Sequence, residues 1–306
     1  MRRRRNCEPS PTNCWAENTN ESIEPMIDTH SHLDGEEFAE DLEDVLQRAQ
    51  DAGVDKIFVP GICLKDTPHL LEVCNAHPGY LYPMIGLHPE NIMDEDYHHA
   101  LAELEKILVQ RLDSPHPQAA TPPLPSSASP IIAIGEVGLD LYWDATHRQE
   151  QLEVFEQQIR WAEKYDLPLM IHSRNAHAEL METMERHRGS NLSGVFHCFT
   201  GTEEEARDLL TFPNFMLGIG GVLTFKKSTL PEVVKNAIPL SRIVLETDSP
   251  YMAPVPNRGK RNESAYVKSV AEKLAEVFEV DFDEIVLQTT KNAGKVFKKV
   301  TFFNKN

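Results

Sequence analysis

The sequence predicts an α/β chain folded as a single-domain (β/α)8 TIM barrel, and three observations lead there. Eight short apolar runs, each followed by a stretch of helical periodicity, succeed one another over about 270 residues. The runs are apolar almost throughout, as parallel strands buried on both faces are. Histidines and carboxylates recur at the C-terminal ends of these runs, the rim where barrel enzymes place their chemistry. A doubly wound open sheet is the competing arrangement. It is disfavoured because no Gly-x-Gly-x-x-Gly turn follows the first strand.

The first strand, Met26 to Asp34, carries His30 and His32 one residue apart. Residues i and i+2 of a strand share a face, so both imidazoles can aim at one point. Asp28 lies on that face and is expected to orient one of them. Glu36 to Asp51 reads as one helix, with Phe38, Leu42, Val45 and Ala49 inward and Gly53 as its stop. Lys56 to Gly61 is a buried strand, Asp66 to Ala76 a helix, and Leu81 to Pro89 a strand ending in His88. Tyr97 to Leu112 is helical. Ile131 to Asp140 is a strand closing in a Gly-rich turn with Glu136 and Asp140, and Ala145 to Tyr165 is the helix after it. Leu167 to Arg174 is a strand carrying His172, followed by a helix from Ala176 to His187. Gly194 to Phe199 is a strand carrying His197. Thr202 with Glu205 makes a capping box that opens a helix to about Leu210. The last strands are Phe215 to Gly221 and Arg242 to Pro250, separated by a helix over Thr229 to Ala237. Helices near Val267 to Phe278 and Asp283 to Phe297 end the chain.

Two stretches stand outside this alternation. Residues 1–24 open with four arginines but carry no apolar segment and several glutamates, and read as a disordered leader. Residues 113–130 are rich in proline and serine and read as a mobile insertion within one domain spanning 25–306.

The balance of 48 acidic against 30 basic residues, a net charge of −18, excludes a basic nucleic-acid-binding body. A nucleic-acid substrate would have to be held by metal ions and a few local cations. No apolar run is long enough to span a membrane, so no membrane partner is expected. Five scattered cysteines without Cys-x-x-Cys spacing fit a reducing, cytoplasmic setting, and Cys198 should face the helices rather than act as a nucleophile. Oligomeric state is not readable from the sequence.

Of thirteen histidines, five (His30, His32, His88, His172 and His197) lie at strand ends, together with Glu136, Glu246 and Asp248. Burying so many imidazoles and carboxylates together without a metal would be costly. Two ions fit the ligand count: His30, His32 and Asp248 for one, His172 and His197 for the other, with Glu136 bridging. Glu136 and Asp248 are also the expected catalytic residues, Asp248 as acceptor of the water's proton. His88 is expected to contact substrate phosphate or a third ion. Glu246 either reaches the site or forms a structural ion pair. Arg174 either clamps a phosphate or pairs with an acidic helix. Arg258, Lys260 and Arg261 form a locally basic loop, and Tyr142 and Trp143 offer rings on which a base could stack. Zinc suits the imidazole-rich set, and magnesium or manganese remain open.

Seven segments carry a family resemblance: Asp28 to His32, Gly86 to Pro89, Gly135 to Asp140, Ile171 to Arg174, His197 to Phe199, Glu246 to Tyr251, and Arg258 to Glu263. Together they resemble the TatD family of metal-dependent deoxyribonucleases, among the amidohydrolase-like barrels, from about Pro25 to the C-terminus. The resemblance implies a TIM barrel with two or three divalent ions that hydrolyses DNA, as a 3′-to-5′ exonuclease and in some relatives at abasic sites. DNA 3′ ends or single strands are then the expected partner. It carries family metal ligands to His30, His32, Glu136, His172, His197 and Asp248, and matches His88 and Glu246. The chain departs from the pattern at Leu141-Tyr142-Trp143 and at Ser264, where proline often stands. The alternative on the same barrel is a binuclear amidohydrolase acting on a small cyclic amide. Such enzymes often bridge their metals with a carboxylated lysine, and here the middle strand offers Glu136 and no lysine.

Overall fold

In the computed structural model, residues 25–93, 96–112, 128–142 and 145–302 are described. The leader 1–24, residues 113–127 of the insertion and Trp143 lie outside them. The strands are β1 (Met26–Asp28), β2 (Val54–Val59), β3 (Leu81–Pro83), β4 (Ile134–Asp140), β5 (Leu169–Arg174), β6 (Gly194–Phe196), β7 (Phe215–Ile219) and β8 (Ile243–Leu245). They are parallel and neighbour one another in chain order within β1–β3 and within β4–β8. Two bridges close the ring. Ile85 pairs with Ile134 between β3 and β4, and Ser31 pairs with Ser249 beyond β1 and β8. The amide of Thr29 also donates to the Leu245 carbonyl at 3.0 Å. The result is the expected (β/α)8 barrel. Its helices are α1 (Leu42–Asp51), α2 (Thr67–Ala76), α3 (Tyr97–Leu112), α4 (Arg148–Tyr165), α5 (His177–Arg186), α6 (Glu203–Leu209), α7 (Leu230–Ala237), α8 (Val267–Phe278) and α9 (Phe282–Val296). Among the described residues, no helix is long and apolar enough to cross a membrane.

Two apolar layers hold the barrel. The outer one lies between strands and helices, with Phe38, Ile57, Leu104, Phe155 and Leu217 fully buried. The inner one takes a side chain from each strand or its N-terminal approach: Ile27, Phe58, Tyr82, Ile132, Met170, Val195, Met216 and Val244. Val296, Phe297, Val300 and Phe302 join this inner layer. Helix α9 ends one residue earlier than periodicity suggests, and the chain after it packs against the barrel interior. That tail contact has no local sequence signature. The polar ends of the strands therefore sit on a solid apolar floor.

Several boundaries differ from expectation for identifiable reasons. The expected helix over 36–51 is broken into a 3-10 turn (Glu36–Phe38) and α1. Arg261 takes the Glu37 carbonyl that a continuous helix would bond to Asp41, and it also holds the Asp41 carboxylate at 2.7 and 2.8 Å. Ser129, within the expected mobile insertion, is instead buried, with its hydroxyl on the Cys74 carbonyl at 2.9 Å. The capping box at Thr202 forms with both of its bonds.

The Gly-rich segment over 135–140 is strand throughout rather than a closing turn. Its glycines serve close approach: Gly138 pairs with His172 across β4 and β5 at φ +139°, and a Cβ there would lie 2.0 Å from the His172 carbonyl oxygen. Gly138→Ala therefore forces apart two strands that both carry site residues. A loss of about 3 kcal/mol in unfolding free energy is expected, read by denaturant titration. A loss under about 0.5 kcal/mol, the range of an ordinary surface change, would contradict this geometry.

Candidate metal centre

The ends of β1, β3, β4, β5, β6 and β8 each deliver one or two polar groups to the mouth of the barrel, and they gather around Glu136. Its Oε2 lies 3.1 Å from His30 Nε2 and 3.5 Å from His32 Nε2. Its Oε1 lies 2.7 Å from His197 Nε2, 3.0 Å from His172 Nδ1 and 3.3 Å from His88 Nε2. Asp248 Oδ1 completes the first group, 3.7 Å from His30 Nε2 and 3.5 Å from His32 Nε2, while those two nitrogens are 3.2 Å apart. In the second group His172 Nδ1 and His197 Nε2 are 3.3 Å apart. His197 also stacks flat on His30, with ring centroids 4.0 Å apart, so the two groups adjoin.

These spacings are a test of fit for metal. Two ligands each ~2.1 Å from one tetrahedral ion lie about 3.4 Å from each other. His30, His32 and Glu136 meet that condition, Asp248 meets it toward the two imidazoles, and Glu136, His172 and His197 meet it on the other side. Three buried polar atoms around the cluster, His30 Nδ1, His197 Nδ1 and Glu246 Oε2, have no hydrogen-bond partner among the described residues. Each such atom costs about 1–3 kcal/mol, so stability alone does not account for the arrangement. The mixed imidazole and carboxylate donors suit a divalent transition metal such as zinc.

Protonation follows from the surroundings. Burial, with His197 against it, lowers His30 to about 4. Burial also opposes charge on His32, but its hydrogen bond to Asp248 and the Glu136 carboxylate win and raise it to about 9. For His172 the same opposition loses to hydrogen bonds with Asp140 and Glu136, giving about 10. Burial would raise Glu136, yet His197, His88 and His30 hold it well below the usual carboxylate range.

A family model described as TatD related DNase matches residues 27–298 of this sequence. The chain belongs to the TatD family. The uncharacterized metal-dependent hydrolase YabD of Bacillus subtilis is 36% identical over 273 residues, covering 89% of this chain and 99% of its own length. The uncharacterized metal-dependent hydrolase YcfH of Escherichia coli is 30% identical over 277 residues, 89% of this chain and 95% of its own. The crystal structure of YjjV, a TatD homolog from Escherichia coli, superposes with a TM-score of 0.77 at 31% identity, over 90% of this chain and 99% of that one.

In this TatD chain the groups behind the ligand atoms differ in part from expectation. Asp28 orients no imidazole. Its Oδ1 accepts from the Thr247 amide at 2.9 Å and its Oδ2 from the Thr247 hydroxyl at 2.7 Å, so it ties β1 to the turn carrying Asp248. Asp140 is the carboxylate that orients a ring, its Oδ2 2.9 Å from His172 Nε2, and its Oδ1 accepts from the Tyr142 amide. His88 Nδ1 accepts from the Glu90 amide at 3.2 Å, which places its proton on Nε2 and makes it a donor toward Glu136. Burial keeps it neutral. Glu246 forms no ion pair with lysine or arginine among the described residues. It is fully buried, accepts from the Cys198 amide, and sits 3.9 Å behind His197 Nδ1. Burial raises its carboxyl to about 8. Cys198 does not face the helices. It lies past the end of β6 at φ +49°, where strand alternation no longer applies, with Sγ 3.9 Å from Met252 Sδ. Arg174 stacks over the Tyr142 ring at 3.7 Å, whereas Arg261 is committed to Asp41 and Glu263.

Two glutamines escaped sequence reasoning. Gln151 holds the amide and carbonyl of Asp140 at 2.9 and 2.8 Å, and Gln158 holds those of Leu87, beside His88, at 2.7 and 3.1 Å. They stand seven residues apart on the buried face of α4 with Phe155 and Ala162. Polar residues inside that apolar stripe were the available signal.

Proposed function

We propose that this TatD chain is a metal-dependent phosphodiesterase that cleaves DNA at 3′ ends or in single strands, and acts at abasic sites. The observation that carries the reading is the division of Glu136: one carboxylate oxygen faces His30 and His32, the other faces His88, His172 and His197. His30, His32 and Asp248 would hold one divalent ion and His172 and His197 a second, with Glu136 within reach of both groups. When bound, zinc or a similar divalent ion polarises a phosphoryl oxygen and makes water nucleophilic near neutral pH.

The chain's own groups do the remaining work. Asp248, beside His30 and His32, accepts the water's proton. His88 presents its Nε2–H to Glu136 or to a substrate oxygen, a donor role in place of a third ion's ligand. Arg174, held over Tyr142, supplies a cation for a phosphate, and the half-exposed Tyr142 ring a face for a base. The description of the matching family model as a DNase supports this substrate over a cyclic amide.

A panel of single-stranded DNA, abasic duplex and a dihydropyrimidine tests it. The expected result is cleavage of DNA, lost in both His172→Ala and Asp248→Ala with the fold retained by circular dichroism. Hydrolysis of the cyclic amide alone would replace this reading. DNA cleavage persisting in both variants would mean the centre is not catalytic.

A further inference from the structure

Away from the candidate ligands, one part of the rim gathers exposed cations. The chain is strongly acidic, net −18, and its exposed arginines are largely neutralised by neighbours, as in Arg148–Glu179, Arg186–Glu156, Arg188–Glu185 and Arg207–Glu203. Lys226, Lys227, Arg258 and Lys260 are exposed and, among the described residues, take part in no ion pair. They lie on the loops that follow β7 and β8. Those loops form one surface: the Arg258 guanidinium rests 3.7 Å above the Phe225 ring, next to Lys226, and the Val255 amide donates to the Thr224 hydroxyl at 2.8 Å.

This surface is continuous with the metal centre. Tyr251, on the same loop as Arg258, is 56% exposed, and its ring centroid is 6.1 Å from that of His32. The exposed large apolar side chains among the described residues are Met93, Tyr142, Tyr251 and Val255, all on loops after β3, β4 and β8. Aromatic faces beside the ligands and unpaired cations farther out are the two elements that hold a single strand, through its bases and its phosphates.

We infer that Tyr251 stacks a base next to the reacting phosphate, and that Lys226, Lys227, Arg258 and Lys260 form a track for the strand's other backbone phosphates. The inference rests on the phosphodiesterase reading and adds where the uncleaved part of the substrate lies. An acidic body repels a polyanion, so local cations decide where the strand lands.

The test compares a fluorescent twelve-nucleotide phosphorothioate oligothymidylate with the corresponding dinucleotide, by anisotropy on the metal-loaded full chain. Replacing Lys226, Lys227 and Lys260 together with glutamate is expected to weaken the longer strand by about tenfold or more and the dinucleotide by under about twofold. The slope of log affinity against log salt should fall by about 0.7 per lysine lost. Tyr251→Ala should weaken both strands by about fivefold or more, with Tyr251→Phe restoring binding. The control is Lys291→Glu on α9, next to Thr290, whose hydroxyl bonds the Pro25 carbonyl ahead of β1 at the opposite end of the barrel. Equal losses on both lengths, an unchanged salt slope, or the same loss from the control would overturn the track. Equal lysine-dependent capture of polyglutamate or anionic vesicles would overturn its assignment to nucleic acid. Cleavage of an ordinary oligothymidylate is measured in parallel. Length-dependent binding through these lysines without hydrolysis retires the phosphodiesterase reading alone; hydrolysis with an indifferent triple variant retires the track alone.

Discussion

Glu136→Gln is expected to lower turnover on the DNA substrate by on the order of 10³-fold and to cut the divalent metal retained per chain, with the barrel intact. Glutamine keeps the shape of the side chain but loses the charge and one acceptor. One end becomes an NH2 that can only donate, so one of the two facing groups loses its shared oxygen. Whichever way the amide turns, the damage is severe. On the Oε1 side it meets His88, which already presents an N–H donor, at 3.3 Å, and on the Oε2 side it meets His30 and His32 at 3.1 and 3.5 Å. Elemental analysis of the purified variant, beside steady-state kinetics, separates the two effects. Full metal content with activity within threefold of the parent would show that this carboxylate bridges nothing.

How far the sequence foretells this centre depends on what each residue needs. His30 and His32 are legible because strand alternation is local and puts their Nε2 atoms 3.2 Å apart, although β1 itself stops at Asp28. The barrel is legible because apolar runs and helical stripes repeat in step. What resists reading is set by contacts between distant segments. Asp28 looks like a partner for its neighbouring histidines, yet its carboxylate is spent on Thr247, 219 positions away. Arg261 looks like part of a free basic loop until the fold brings Asp41 against it. His172 turns Nδ1 rather than Nε2 toward Glu136 because Asp140 occupies its other nitrogen, and only the β4–β5 register, with Asp140 opposite Arg174, reveals that. The two glutamines of α4 show the same limit from the other side. They never touch the centre, and their role is visible only as bonds to backbone.

Removing the metal should reverse the pH dependence of stability. In the metal-free chain, hydrogen bonds and charge from Asp248, Glu136 and Asp140 outweigh burial to hold His32 at about 9 and His172 at about 10, and burial holds Glu246 at about 8. All three groups bind their protons more tightly folded than unfolded. The histidines' contribution is complete below their unfolded value of about 6.5 and is lost as pH rises toward 9 and 10; the glutamic acid pulls the same way up to 8. His30, lowered to about 4, acts only below its unfolded value and does not oppose them. Melting temperature in chelator should therefore fall from pH 6.5 to 9. Ion binding has the opposite sign, because the protons on His32 and His172 must leave before those nitrogens can ligate, so affinity climbs with pH. At a thousandfold excess over Kd, each ion adds about 4 kcal/mol. Two ions would then separate the metal-loaded and chelated melts by on the order of 15 °C, a gap that widens with pH. Differential scanning calorimetry at pH 6.5, 7.5 and 8.5 reads both curves. Parallel curves would mean that the protons on His32 and His172 are not displaced by metal, and the assignment of those two nitrogens as ligands would have to be withdrawn.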